Sequence, residues 1–154
     1  MAEMTPEEFS RRLKMAVRTG AIRDGMVRAA NRIALRMDAK AKKRVTGGGS
    51  STRLLNVRTN GLRGSIKWNV KRIRSGVKAS IQAGGLSRGV LVKYARIHEL
   101  GGQITMRRGK ALKKPIRIPK RPYLRPGRDA GARIARQVMT EEFRKSLRTV
   151  GIGS

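Results

Sequence analysis

Between Arg53 and Pro126 the chain carries 20 basic residues and a single acid, Glu99. No other feature constrains its folding as much. So dense a positive field works against a compact isolated monomer by self-repulsion, and it favours a polyanionic partner. The flanks are milder: residues 1–44 hold 12 basic and 5 acidic side chains, and residues 127–154 hold 6 and 3. The net charge over 154 residues is +29. Nucleic acid is the first expectation for a partner, an acidic protein surface the second, and an anionic membrane the third.

The means of offsetting that repulsion are limited. Hydrophobic residues make up 38% of the chain, below the usual share. The aromatics are Phe9, Trp68, Tyr94, Tyr123 and Phe143. One domain (1–154) with a modest core is expected, with part of its stability supplied by neighbouring subunits. The absence of cysteine removes disulfides, thiolate metal sites and thiol nucleophiles. The start, MAEMTPEEF, lacks the apolar run of a signal peptide, and no stretch approaches the roughly 20 apolar residues of a membrane span. A soluble cytoplasmic product is expected.

Local patterns divide the chain. Thr5-Pro6-Glu7-Glu8 combines a capping hydroxyl, proline at the first helical position and a glutamate three residues after the cap. Phe9, Leu13, Ala16 and Val17 follow at helical spacing, and the stripe resumes after Thr19-Gly20 at Ile22, Met26, Ala30, Ile33 and Met37. Residues 1–44 therefore read as one helix kinked near Gly20 or as two helices, with a core-facing stripe. Residues 45–57, rich in Gly, Ser and Thr, read as a flexible connection. No Gly-Lys-Ser/Thr follows its glycines in the register a phosphate-binding loop requires.

Residues 58–126 read as the β-rich basic part. Ile66, Trp68 and Val70 alternate with Lys67, Asn69 and Lys71; after Arg74-Ser75-Gly76, Val77, Ala79 and Ile81 alternate with Lys78, Ser80 and Gln82. That is a hairpin with one apolar and one wet face. Val90-Leu91-Val92 and Gln103-Ile104-Thr105 are further apolar or strand-like segments. Met106–Pro115 reads as a basic loop, and Ile116 and Ile118 as a last strand ending at Pro119. Ala135, Met139, Phe143 and Leu147, four apart, mark a C-terminal helix over 127–150. The expected fold class is α+β: a long N-terminal helix, a small antiparallel sheet with a β-hairpin, and a C-terminal helix packed on the sheet.

His98 and Glu99 are the one place that looks reactive. Neighbours in sequence point about 100° apart on a helix and to opposite faces of a strand, so they cannot readily share a proton. A metal site needs about three converging ligands, and a single histidine with one nearby acid does not supply them. Catalysis, a metal and a cofactor are therefore not expected. The stretch Tyr94–Gly102 reads instead as a short helical or turn element closed by Gly101-Gly102. Tyr94, Ile97 and Leu100 would anchor its apolar side, leaving His98 and Glu99 for local hydrogen bonds or a subunit contact. Without base-reading aromatics the charge points to phosphates, with Arg107, Arg108, Lys110, Lys113 and Lys114 as the candidate contacts.

Three stretches carry a resemblance: RTNGLRGSIKW (58–68), YARIHELGGQI (94–104) and IPKRPYLRPG (118–127). In this order and spacing they resemble segments of the neck and tail-completion (head–tail joining) proteins of tailed bacteriophages. The match is fullest in Ile-His-Glu-x-Gly-Gly and Arg-Pro-aromatic-Leu. Asn60 interrupts a Thr-Gly pair, Leu100 replaces the usual aromatic, Lys120 replaces alanine, and Tyr123 replaces phenylalanine.

The resemblance implies a non-enzymatic virion protein that forms a homo-oligomeric ring at the head–tail junction, assembled in the host bacterial cytoplasm. The ring would line the DNA channel with positive charge. It would meet the connector or adaptor and the tail-tube or tail-terminator proteins, with duplex DNA passing non-specifically. Tyr94, Ile97, His98, Glu99, Tyr123 and Leu124 are the candidate subunit or neck contacts. The alternative reading is a general, sequence-independent nucleic-acid-binding protein.

Overall fold

The Thr5-Pro6 signal does start a helix. The Thr5 hydroxyl accepts the Glu8 amide at 3.2 Å, and α1 runs Pro6–Arg18. Thr19-Gly20 then breaks the helix, and α2 (Ala21–Thr46) begins, so the N-terminal part is two helices. The computed structural model describes residues 4–46, 60–87, 89–92, 94–107 and 110–152. Most of the connection expected over 45–57 lies outside them. A short α3 (Gly61–Ser65) leads into a hairpin of β1 (Lys67–Ile73) and β2 (Gly76–Gln82). Then follow β3 (Gly85–Ser87), β4 (Val90–Val92), α4 (Ala95–Leu100), β5 (Gly102–Arg107), β6 (Lys110–Ile118) and α5 (Leu124–Arg148).

The architecture is α+β, with the β part divided into three antiparallel two-stranded ribbons, β1–β2, β3–β4 and β5–β6. The register of the first is the one the alternation implied: Trp68 opposes Ile81, Val70 opposes Ala79, and Lys71 opposes Lys78. Its apolar face lies against α2. The expected loop over Met106–Pro115 is largely strand, since β5 extends to Arg107 and β6 starts at Lys110. The alternation that marks Ile104, Ile116 and Ile118 lapses there, where Lys113 and Lys114 are adjacent and Pro115 interrupts the run.

The central scaffold is the antiparallel pair of α2 and α5. Its α2 side is built of small residues: Ala29, Ala34 and Ala41 are fully buried and Ala30 nearly so. The buried line of α5 is Gly127, Gly131, Val138, Glu142 and Ser146. That line lies beside the apolar spacing seen in the sequence, and Phe143 remains 45% exposed. Two causes rotate the helix this way. Glycine lets the backbones approach closely, and the buried Glu142 takes Arg28 at 3.1 Å, Arg32 at 3.0 Å and Lys145 at 3.3 Å. Those cations hold the Glu142 carboxyl below the usual carboxylate range, chiefly through the Arg28 hydrogen bond.

The stripe of α1 is likewise only partly covered. Ala16 is buried, whereas Phe9 and Val17 stay exposed. This helix touches only the ends of α2 and α5, which cover a strip and not a whole face. A second cluster joins Ala41 and Val45 of α2 to Leu62, Ile66, Val92, Ala95 and Tyr123. It sits where α3, β4, α4 and the entry to α5 converge.

Candidate functional site

The C-terminal end of α4 meets the start of α5, and Glu99 joins them. The sequence before α5 is Arg121-Pro122-Tyr123, which offers no Ser, Thr, Asp or Asn cap, and Tyr123 makes no capping bond of its own. A helix start leaves four backbone N–H groups without intrahelical partners. Here the fourth residue is Pro126, which has no N–H. The other three all donate to Glu99: Tyr123 N at 2.7 Å and Leu124 N at 2.9 Å to Oε2, and Arg125 N at 3.1 Å to Oε1. One carboxylate thus satisfies the whole first turn and faces the positive end of the helix dipole.

Neighbouring bonds fix the clamp. Arg121 N donates to the His98 carbonyl at 2.9 Å. The Tyr123 ring, 1% exposed, fills the second cluster, and its hydroxyl donates to the Ala95 carbonyl at 3.2 Å. Burial pushes the Tyr123 hydroxyl well above its usual range, with the Glu99 charge adding to it. Gly101 ends α4 at φ 75°, where a side chain would be strained, and its amide closes on the Ile97 carbonyl at 2.8 Å.

Ala95 and Glu99 are four apart and share the face turned to Tyr123. The expected apolar anchor therefore needs correction: Tyr94 and Leu100 are exposed, Ile97 is half-buried, and Ala95 is the buried residue. The bonds from 121–125 set the rotation of so short a helix, and its own apolar spacing does not. Tyr123→Phe should cost no more than about 1–1.5 kcal/mol, one hydrogen bond, and keep the packing; a larger loss in thermal unfolding would mean the hydroxyl does more.

His98 is half-buried. Its ring meets Tyr94 edge-on at 5.7 Å between centroids. Its Nδ1 and the Arg121 Nε are buried and make no hydrogen bond among the described residues. Burial lowers the His98 pKa, and the Arg121 charge lowers it further. The folded chain thus resists a proton that the unfolded chain accepts near pH 6.5. Stability should fall as pH drops through about 6.5 and level off below the folded pKa. With one histidine in the chain, His98→Gln should flatten denaturation midpoints between about pH 7 and 5.5; an unchanged slope would assign the effect elsewhere.

No group of three His, Cys, Asp or Glu residues able to hold a metal occurs among the described residues. Within them, too, no helix is long and apolar enough to cross a membrane. The arrangement ties one side-chain carboxylate to three backbone amides, and among the described residues His98 pairs with no nucleophile. Of the five candidate phosphate contacts, Arg108 lies outside the described residues. Arg107 and Lys110 occupy opposed positions at the β5–β6 tip, and Lys113 and Lys114 are exposed on β6.

The clamp brings YARIHELGG and RPYLRPG together, two stretches about 25 residues apart. A sequence model of the phage virion morphogenesis family matches residues 34–143. The chain belongs to that family. The match runs from the middle of α2 to residue 143 of α5, so the family region includes the Glu99 clamp and all three ribbons and omits α1. No curated protein and no solved structure matches the chain.

Sequence reasoning left Glu99 without its structural partner. Membership of a virion morphogenesis family gives the clamp a clear setting, since an assembly subunit must hold its helices in fixed register. One signal was available: an uncapped helix start needs an acceptor from elsewhere, and Glu99 is the only acid in the surrounding segment.

Proposed function

We propose that the protein is a structural component of the phage neck, a head–tail joining or tail-completion protein. It assembles as a homo-oligomeric ring between connector and tail and lines the DNA channel with positive charge. The observation that carries this reading is the amount of apolar surface left open on a virion-family protomer. Val17 is 66% exposed, Leu86 64%, Leu100 57% and Leu91 52%. Leu86 and Leu91 face each other across the β3–β4 ribbon. Ile22, Met26, Met139 and Phe143 line an open apolar groove of about 340 Å³ between α2 and α5. Exposed apolar surface in this amount fits burial against neighbouring subunits.

Electron microscopy of the purified protein and of virions tests the reading. A ring, and a place at the head–tail junction, are the expected results. A strict monomer absent from the particle would overturn it, and co-purification with nucleoid or ribosomes would favour the general nucleic-acid-binding alternative that +29 charges support. At the level of residues, Leu86→Ser with Leu91→Ser should leave the protomer folded by circular dichroism yet shift it to smaller species on a sizing column. An unchanged size would exclude the β3–β4 ribbon from the interface.

A further inference from the structure

The outward face of the β1–β2 ribbon is mostly polar, basic and free of acids. Its cross-strand pairs are Lys67 with Gln82, Asn69 with Ser80, and Lys71 with Lys78. All are exposed except Ser80, which is half-buried. Except for Ile73 at the turn end, every side chain on this face is a hydrogen-bonding group, and none is acidic. The opposite face, carrying Val70, Ala79 and Ile81, is turned to α2, so the polar face looks away from the protomer. Lys71 and Lys78 stand directly opposite each other, an arrangement that destabilises an isolated sheet.

A merely solvated face mixes charges, as the helices of this chain do. There Asp24, Glu141 and Glu142 lie among Arg23, Arg28 and Arg32. Most of the described acids are already engaged within the protomer. Asp24 holds Arg72 on the other side of β1, Glu141 and Glu142 hold α2 arginines, and Glu99 caps α5. A second copy of the chain therefore has little negative charge to offer this face, and the counter-charge must come from another molecule.

We infer that the outward face of the β1–β2 ribbon is a contact surface for the phosphates of duplex DNA. The choice of duplex DNA as the polyanion rests on the neck reading above; the surface itself rests on the ribbon. Lys67 and the Lys71–Lys78 pair are separated by four residues, about 13 Å at the ordinary strand rise. That is close to the roughly 12 Å width of the major groove, which accepts a two-stranded ribbon. Lysines at the two ends of the face can then reach phosphates on the two sides of the groove. Asn69 adds an uncharged donor between them, and Gln82 one beside Lys67. Phosphate contact of this kind tolerates any sequence.

The test is fluorescence anisotropy of the full chain with a 25-base-pair duplex over a series of salt concentrations. Changing Lys67, Lys71 and Lys78 together to Gln should weaken binding about 10- to 100-fold and reduce the slope of log K against log salt by about 2.7, three phosphate contacts. A charge-matched control, Arg18→Gln, Arg36→Gln and Arg133→Gln on exposed helix positions, should change the slope by less than about one. Equal losses in the two triples would mean general charge attraction and would overturn the inference. So would an unchanged slope in the lysine triple, or no duplex binding by the native protein at low salt. Rings in the microscope without duplex binding would defeat this inference alone, whereas duplex binding by a strict monomer absent from virions would defeat the neck reading alone.

Discussion

Glu99→Ala is expected to cost about 2–4 kcal/mol of protomer stability. It removes the acceptor of three backbone N–H groups at once. A lost helix cap by itself costs about 0.5–2 kcal/mol, and bonds to a charged acceptor contribute more than neutral ones. At this chain length the loss corresponds to a fall in Tm of roughly 5–15 °C at fixed protein concentration. Glu99→Gln should fall between: its amide oxygen can still accept, but its NH2 group then faces the Arg125 N–H. Glu99→Asp should resemble alanine more than glutamine, because the shorter arm cannot span the same gap. Thermal unfolding orders the three, and hydrogen exchange at Leu124 and Arg125 should accelerate first. An alanine variant within about 0.5 kcal/mol of the native protein would show that water replaces the carboxylate, and the clamp would lose its significance.

Gly127→Ala is the second large effect, and its expected sign opposes helix propensity. Alanine exceeds glycine by about 1 kcal/mol inside an exposed helix. Here an added Cβ would lie 2.7 Å from the Met37 carbonyl oxygen and 3.1 Å from the Ala41 Cβ. A backbone oxygen cannot rotate away, so α2 and α5 must separate along their contact. A net loss of about 1–3 kcal/mol is expected, the usual cost of overpacking. Denaturant unfolding measures it. A gain in stability would show that the two helices can part freely, and the close approach would no longer account for the glycine.

The features readable in the sequence were those with short-range causes. The capping threonine, proline and glutamate of α1 act within one turn, and the structure has that bond. The β1–β2 hairpin was legible because one face packs on α2 and the other meets water, which writes a period of two into the chain. The β5–β6 ribbon was partly missed because the alternation that marks Ile104, Ile116 and Ile118 lapses between Met106 and Pro115. The stripes on α1 and α5 misled for a related reason. Spacing gives the direction of an apolar face but not whether a partner exists to cover it, so Phe9, Val17 and Phe143 stay exposed.

Motif reading found the Glu99 stretch without finding what it does. The neighbouring His98 and Glu99 drew attention as possible chemistry, and geometry between adjacent residues was enough to argue against a shared proton. The true partners of Glu99 are N–H groups of residues 123–125, which no local rule connects to it.

By itself, then, the sequence determined the α+β class, the start of α1, the weakening of the helical stripe at Thr19-Gly20, the β1–β2 hairpin, the concentration of positive charge, and the phage character of three short motifs. Each follows from periodicity, capping chemistry or composition, which act over a few residues. Only the tertiary structure decided that Glu99 caps α5, that Gly127 and Glu142 set the rotation of α5 on α2, and that Asp24, Glu141 and Glu142 are engaged away from the polar face of β1–β2. Those depend on which distant groups packing brings within hydrogen-bond or contact distance, and such distances are fixed by the whole chain at once.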